Sequence, residues 1–161
     1  MSGTVKVVRK PAELGQEECR IASLRHISPF WIGLDADPGD APWIQAARDV
    51  VRQRLSDSDV PFSEDETVLD LPHAALLNVV ASSDLVFDQG PGIYLVGVML
   101  AVNQTVRLAR HPSMKCVTIT WRTEGTGIAF RHNYVDTLLV GLRDRLDVFI
   151  DAYHQARQKA T

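Results

Sequence analysis

The sequence has few cysteines, no long apolar run and no excess of basic charge, and each scarcity excludes a class of protein. Its two cysteines, Cys19 and Cys116, stand far apart in 161 residues, so the chain has neither a CxxC redox pair nor half of a zinc knuckle. The longest apolar run, 93–102, is about half the length of a membrane-spanning helix. A formal net charge of −3 is a poor match for a phosphate backbone. We therefore expect no membrane span and no nucleic-acid partner.

The motifs of common cofactors and catalytic centres are also missing. The sequence contains no phosphate loop, no dinucleotide fingerprint and no Gly-x-Ser-x-Gly elbow. The acidic turn 35–40 lacks the glycine and glutamate positions of a calcium loop, and no two of the five histidines stand three or four residues apart. We predict neither a metal nor a cofactor, and the sequence leaves open whether the chain is an enzyme.

What is present indicates one folded domain over residues 1–161. A chain of this length buries about 70% of its unfolded surface, and 45% hydrophobic with 23% charged residues is typical of globular proteins. The first residues are polar where a secretory signal carries an apolar stretch, so we expect a cytoplasmic protein. In that compartment both thiols should be reduced, and we expect at least one of them to be buried.

Helical periodicity is clearest at the end of the chain. Apolar residues at alternating spacings of four and three predict a long C-terminal helix, with Asn133 at its capping position. A second helix is predicted to begin near Asp40, and a third near Asp70. Weaker patterns favour a strand over 5–8 and a helix over 11–26. The apolar positions of the C-terminal helix are Val135, Leu139, Leu142, Leu146, Phe149, Tyr153 and Ala156.

Strand patterns lie just before that helix. Residues 116–121 alternate in side-chain character, and 128–131 resume the pattern after a segment with two glycines, so a hairpin is predicted near 115–131. Residues 92–110 fit a buried strand or a buried helix, and we favour the helix. The predicted fold is α+β, with a small antiparallel sheet covered by helices and the C-terminal helix across it.

Two places are candidates for function. Phe30 and Trp31, followed by Asp35 and Asp37, either fill the edge of the core or form an aromatic anchor for a partner. At 131–134 a predicted strand meets the last helix, and His132 and Tyr134, together with His26, are the first candidates for a pocket.

The absence of catalytic motifs favours binding over catalysis. We predict a non-catalytic protein-binding module of the adaptor, inhibitor, immunity or chaperone type. Its expected partner is another protein chain, and a second copy of itself is one candidate. The alternative is a small enzyme or ligand-binding domain with a pocket around His132.

Overall fold

A computed structural model describes residues 16–35, 41–108 and 110–158. Three α-helices, five strands and one 3-10 helix make up this part of the chain. In chain order they are α1 (Gln16–Ala22), β1 (Phe30–Asp35), α2 (Ala41–Asp57), β2 (Phe62–Ser63), the 3-10 helix Glu66–Asp70, β3 (Ala75–Phe87), β4 (Ile93–Leu108), β5 (His111–Phe130) and α3 (Tyr134–Gln158).

The strands form one sheet in the order β2-β1-β3-β4-β5. β1 runs parallel to both β2 and β3, whereas β3, β4 and β5 are antiparallel. The α+β class is confirmed, but the prediction of a small antiparallel sheet is wrong, because the sheet is mixed and has five strands. The parallel pairs arise because the chain returns through α2 after β1, and a parallel neighbour requires such a crossover.

The two long helices are where periodicity predicted them. α2 buries Trp43, Ala47, Val51 and Leu55 at spacings of four. α3 is 25 residues long and confirms the C-terminal helix. Its buried residues are Leu138, Leu142, Leu146, Phe149, Ile150, Ala152, Tyr153 and Ala156.

The predicted hairpin near 115–131 is wrong. β5 runs unbroken through 123–127, and the turn of the hairpin lies instead between Leu108 and His111. Gly125 and Gly127 do not have the positive φ of turn glycines; they lie in the strand, opposite Val98 and Val96. A Cβ atom on Gly125 would lie 3.6 Å from Nε of Arg145, an ordinary van der Waals distance, so this part of β5 is next to α3.

The helix favoured for 92–110 is also wrong, because this segment is β4, between β3 and β5. Its residues Leu100, Ala101 and Val102 are consecutive and buried, since each face of a central strand is covered by its neighbours or by α3. This arrangement removes the alternation that would have identified a strand.

The third predicted helix, near Asp70, is a strand. Only the short 3-10 helix precedes it, and β3 then buries Leu77, Val79 and Ala81 at a spacing of two. The helix predicted over 11–26 appears as α1 within the described residues, and the strand predicted over 5–8 lies outside them.

The cysteines agree with the expectation of reduced thiols but not with the expectation that one of them is buried. Neither forms a disulfide, but Cys19 is exposed and Cys116 is half-buried. The prediction of a buried thiol is therefore wrong.

The core lies on one side of the sheet. The buried residues of the three helices form a single cluster with Phe30, Leu77, Val79, Leu100 and Trp121 from the strands. The result is a two-layer domain, with one face of the sheet packed against helices. No helix within the described residues is long and apolar enough to cross a membrane.

Candidate functional site

The second face of the sheet carries the side chains that alternate with the core residues, and we call it the open face. Strand register brings residues from four strands together on it. Those near its centre are Trp31, Gly33, Asp35, Leu76, Asn78, Val80, Ser82, Asp84, Leu95, Gly97, Met99, Ala101, Asn103, Ile119, Arg122, Glu124, Thr126 and Ile128. None of them belongs to the core cluster, so the described helices leave this face uncovered.

The open face is apolar over much of its area. Ile128 is 73% exposed, Ile119 51% and Leu95 45%, although each side chain is a large aliphatic one. Half-buried Val80 and Met99 are paired at the centre, between these exposed groups. A contiguous apolar surface of this kind is uncommon on a monomer and is typical of an interaction site.

Trp31 is held at one side of this surface by its packing around Gly33. A Cβ atom on Gly33 would lie 2.7 Å from Cδ1 of Leu76 and 3.6 Å from Cζ3 of Trp31. Because Gly33 has no side chain, Leu76 and the indole ring can lie over the backbone of β1. Trp31 is half-buried, so part of the ring is accessible while the rest is held against the backbone of β1.

A shallow hollow lies beside Met99 on the same face. It has a volume of about 300 Å³, and Val80, Ser82, Gly97, Met99 and Thr126 contribute to its lining. Its floor is Gly97, where a Cβ atom would lie 2.9 Å from Oγ of Ser82. The hollow is therefore large enough to receive a side chain from another molecule.

Charge is unevenly distributed along the open face. Arg122 lies level with Ala101 of β4, whereas Asp35 and Glu124 lie level with Met99, and Asp84 lies further on, level with Leu95. Within the described ranges, none of these four charged side chains forms an ion pair. The open face thus presents one cation, Arg122, with three carboxylates beside and beyond it along the sheet.

The exposed edge of β5, in contrast, is partly closed by hydrogen bonds. Side chains from the helices and from the turn after β5 satisfy backbone groups that would otherwise pair with another strand. Arg20 donates to the carbonyl oxygen of Arg122, Ser23 Oγ to that of Thr120 at 3.3 Å and Arg145 Nη1 to that of Glu124 at 3.1 Å, while the Phe130 N–H donates to Asn133 Oδ1 at 2.8 Å. At the other edge, β2 has only two residues. Residues 81–87 of β3 extend beyond the end of β1 and have no described strand on that side, so the edges of the sheet are only partly closed.

The structure separates the predicted aromatic anchors. Phe30 is fully buried, and its ring meets those of Phe149 and Tyr153 edge to face, at centroid distances of 5.2 and 5.8 Å. It is a core residue and is unavailable to a partner. Trp31 and exposed Asp35 lie on the open face, while Asp37 lies outside the described residues.

His132, Tyr134 and His26 are not brought together. His132 is exposed and stacks on Phe130 at 5.9 Å, and Tyr134 stacks on Tyr94 at 5.0 Å. Tyr94 is near one end of β4, whereas His26 is beside Gln104 near the other, which places them about 30 Å apart at the rise of an extended strand. A pocket built from these three residues is absent from the described structure.

The turn before α3 is stabilised by its own polar groups. Asn133 precedes α3, but its side chain accepts from Phe130 and so closes the turn instead of capping the first helical amides. Arg131 pairs with Asp88, and this hydrogen bond raises the pKa of the guanidinium above its usual value. These contacts are those of a structural turn.

Sequence reasoning missed most of the open face. Leu76 and Met99 were assigned to helices, and Ile128 was considered only as part of a hairpin strand. In the structure every second residue of 75–81 is buried, but Leu76 and Val80 at the alternate positions are apolar as well, so the sequence itself shows no clear alternation. Among the described residues there is no group of three or more His, Cys, Asp or Glu that could hold a metal ion.

Comparison with known proteins gives a limited result. No protein-family model and no curated protein matches the chain. Among solved structures, a variant PelC dodecamer from Paraburkholderia phytofirmans is similar, with a TM-score of 0.46, 15% identity and coverage of 76% of this chain and 87% of that chain. A second PelC dodecamer from the same organism has a TM-score of 0.42, 16% identity and coverage of 73% and 82%.

Proposed function

We propose that this chain is a non-catalytic protein-binding module, and that the open face is its binding surface for a second copy of the chain. The observation that carries the proposal is the exposure of large aliphatic side chains, Leu95, Ile119 and Ile128, on a face that no described element covers. Beside them, Trp31 provides a partly accessible aromatic ring, and such rings are frequent at the centres of protein interfaces.

The distribution of charge favours a second copy as the partner. If two open faces pack with their strands antiparallel and β5 over β5, Arg122 of each copy can meet Glu124 of the other. A two-fold axis produces both contacts at once, as an isologous interface requires. Packing with parallel strands would place like charges together and is disfavoured.

The area available suits a weak dimer. About ten residues each of β3, β4 and β5 and the six of β1 give roughly 570 Å² per copy at the usual strand spacing, or about 1,140 Å² in total. This value lies just below the usual range for specific, stable interfaces, which begins at about 1,200 Å². A weak dimer is therefore the expected form.

A cytoplasmic location is part of the same proposal. Cys19 and Cys116 are not joined in a disulfide, as is usual in a reducing compartment.

The test uses two charge-reversal variants. Each variant alone should self-associate weakly, and a mixture of the two should associate again. Arg122→Glu makes the centre of the face acidic, and Glu124→Lys makes it basic, so each variant should self-associate at least about tenfold more weakly than the unmodified chain. When the two are mixed, opposite charges face each other again, and a heterodimer should form. Sedimentation equilibrium at low salt, where charge interactions are least screened, measures all three samples.

A control variant tests whether the loss of any exposed apolar group would weaken self-association. Val140 is 54% exposed on α3, in the helical layer, and Val140→Lys should leave self-association unchanged, whereas Met99→Lys should abolish it. A chain that remains monomeric at about millimolar concentration would contradict the proposal. So would variants that fail separately and do not recover when mixed.

A further inference from the structure

A polar cavity with opposed walls lies at the end of the domain where β3 begins, away from the centre of the open face. Its volume is about 570 Å³, within the usual range of roughly 300–1,000 Å³ for small-molecule sites. One wall is the segment after α1 with His26, a second is the segment before β3 with His73, and the third is the β4-β5 hairpin with Arg107 and Lys115. We call it the polar cleft.

The polar cleft has an excess of positive groups in a chain whose net charge is −3. Arg107 and Lys115 are cations, His26 and His73 provide ring N–H donors, and Asp70 is the one carboxylate among the lining residues that the structure describes. Four donors of this kind from three walls thus outnumber the one carboxylate among the described lining residues.

These groups are not engaged in internal contacts that would explain their position. Among the residues that the structure describes, the side chains of His26, His73 and Lys115 have no hydrogen bond or ion pair, and Arg107 donates only to the carbonyl oxygen of Pro112, at 3.1 Å. That bond uses one Nη of the guanidinium and leaves its other N–H groups unused. A guanidinium binds phosphate or carboxylate oxygens through paired donors.

The walls of the cleft are fixed to one another, so the donors have a defined spacing. The backbone N–H of Ser28 donates to the carbonyl oxygen of His73 at 2.9 Å, joining the first wall to the second. Gln104 Nε2 donates to the carbonyl oxygen of Ser23 at 3.0 Å and to Thr120 Oγ1 at 2.8 Å, joining the hairpin to the first wall. A preformed site of this kind loses less entropy when a ligand binds.

We infer that the polar cleft binds a small polyanion, a molecule that presents two or more phosphate groups close together. Arg107 and Lys115 lie on one wall of the cleft, and His26 and His73 lie on the other two. A ligand with two anionic groups can therefore contact donors from more than one wall at once, whereas a single carboxylate would reach only one wall. Half-exposed Leu71 on the rim is available to an apolar part of the ligand.

The experiment is titration of the full-length chain with inorganic pyrophosphate by isothermal calorimetry, in about 150 mM salt so that diffuse charge effects are screened. Saturable binding is expected, and citrate, which offers carboxylates in place of phosphates, should bind more weakly. Arg107→Gln and His73→Gln remove donors from different walls, and each should weaken binding about tenfold. A thermal melt of each variant establishes that it is folded.

Two matched controls keep the result specific to the cleft. Arg143→Gln on the exposed side of α3 and His132→Gln at the far end of β5 remove the same side-chain types elsewhere, and each should change the affinity less than about twofold. No saturable binding up to about 10 mM pyrophosphate would overturn the inference. Equal losses in cleft and control variants, or citrate binding as tightly as pyrophosphate, would also overturn it. Self-association through Arg122 and Glu124 is a separate measurement, so either proposal can fail alone.

Discussion

Phe30 and Trp31 are neighbours on β1, but Phe30 faces the core and Trp31 faces the open face. Replacement of Phe30 by alanine should therefore affect mainly stability, and replacement of Trp31 mainly self-association. Phe30 is fully buried and contacts the rings of Phe149 and Tyr153 edge to face. Phe30→Ala removes that burial and both ring contacts and leaves a cavity in a closed core. The expected loss in free energy of unfolding is about 3–5 kcal/mol.

Trp31→Ala should lower the free energy of unfolding less than Phe30→Ala does, and it should weaken self-association more. The indole is half-exposed, so its removal loses only part of a full burial, about 1–2 kcal/mol. Its loss from the open face should weaken self-association at least about tenfold, as for an interface anchor. Phe30→Ala should leave the dissociation constant of the folded dimer within about threefold of the original.

The two quantities need separate assays. Urea unfolding followed by far-ultraviolet circular dichroism, at a concentration where the chain is monomeric, gives the free energy without a contribution from dimerisation. Sedimentation equilibrium gives the dissociation constant. Equal losses of stability from the two replacements would refute the assignment of opposite faces. A Trp31→Ala chain that associates normally would refute the role of Trp31 at the interface.

Three further results are expected. Phe149→Ala should also lose about 3–5 kcal/mol in urea unfolding, whereas Asp151→Ala, on the exposed side of α3, should change little; comparable losses would mean that the buried face of α3 is misassigned. Asn133→Ala should lose about 1 kcal/mol in the same assay, because the Phe130 N–H loses its acceptor; an unchanged midpoint would contradict this. The hydrogen bond from the Thr67 N–H lowers the pKa of the Asp65 carboxyl in the folded protein. The contribution of this bond to folding stability is therefore complete above the unfolded pKa of 3.8 and disappears as the pH falls through the lower folded pKa. Carboxyl resonances followed by NMR should show the lowered titration midpoint of Asp65, and an ordinary midpoint would refute the prediction.

The long helices were predictable because their signal is local. In α3, residues at four-three spacings such as Leu142 and Phe149 share one side of the helix whatever lies elsewhere in the chain. The same holds for Trp43 and Val51 in α2. One face of α3 packs on the sheet and one face of α2 packs mainly on α3, while the other face of each helix meets solvent, so the periodicity of the residues survives in the folded protein.

The central strands were not predictable in this way because their environment comes from distant segments. Leu100 faces α3, while Ala101 is buried among its neighbours on the open face, so both sides of β4 are apolar at its centre. Gly125 and Gly127 have the composition of a turn, but their position beneath α3 depends on a helix that begins several residues later. Both errors arise because tertiary contacts override local preference.

The candidate site depends even more on tertiary structure. Trp31 was a possible contact residue from its sequence neighbourhood, but Leu76, Met99 and Ile128 join it only through the pairing of β1, β3, β4 and β5. The separation of Phe30 from Trp31 follows simply from the two-residue period of a strand. It could have been inferred once the segment 30–35 was assigned as a strand instead of a turn-rich loop.

The edge and the face of β5 differ in how far other groups cover them. A long edge strand is a template for uncontrolled pairing, and here donors from Arg20, Ser23 and Arg145 occupy successive carbonyl groups along it. The same strand places Ile119 and Ile128 on the open face with 51% and 73% of their surface exposed, and no described side chain covers them. An edge of β5 whose carbonyl groups are partly occupied, beside a face that is open to side chains, favours association through packing of the face over addition of a strand to β5.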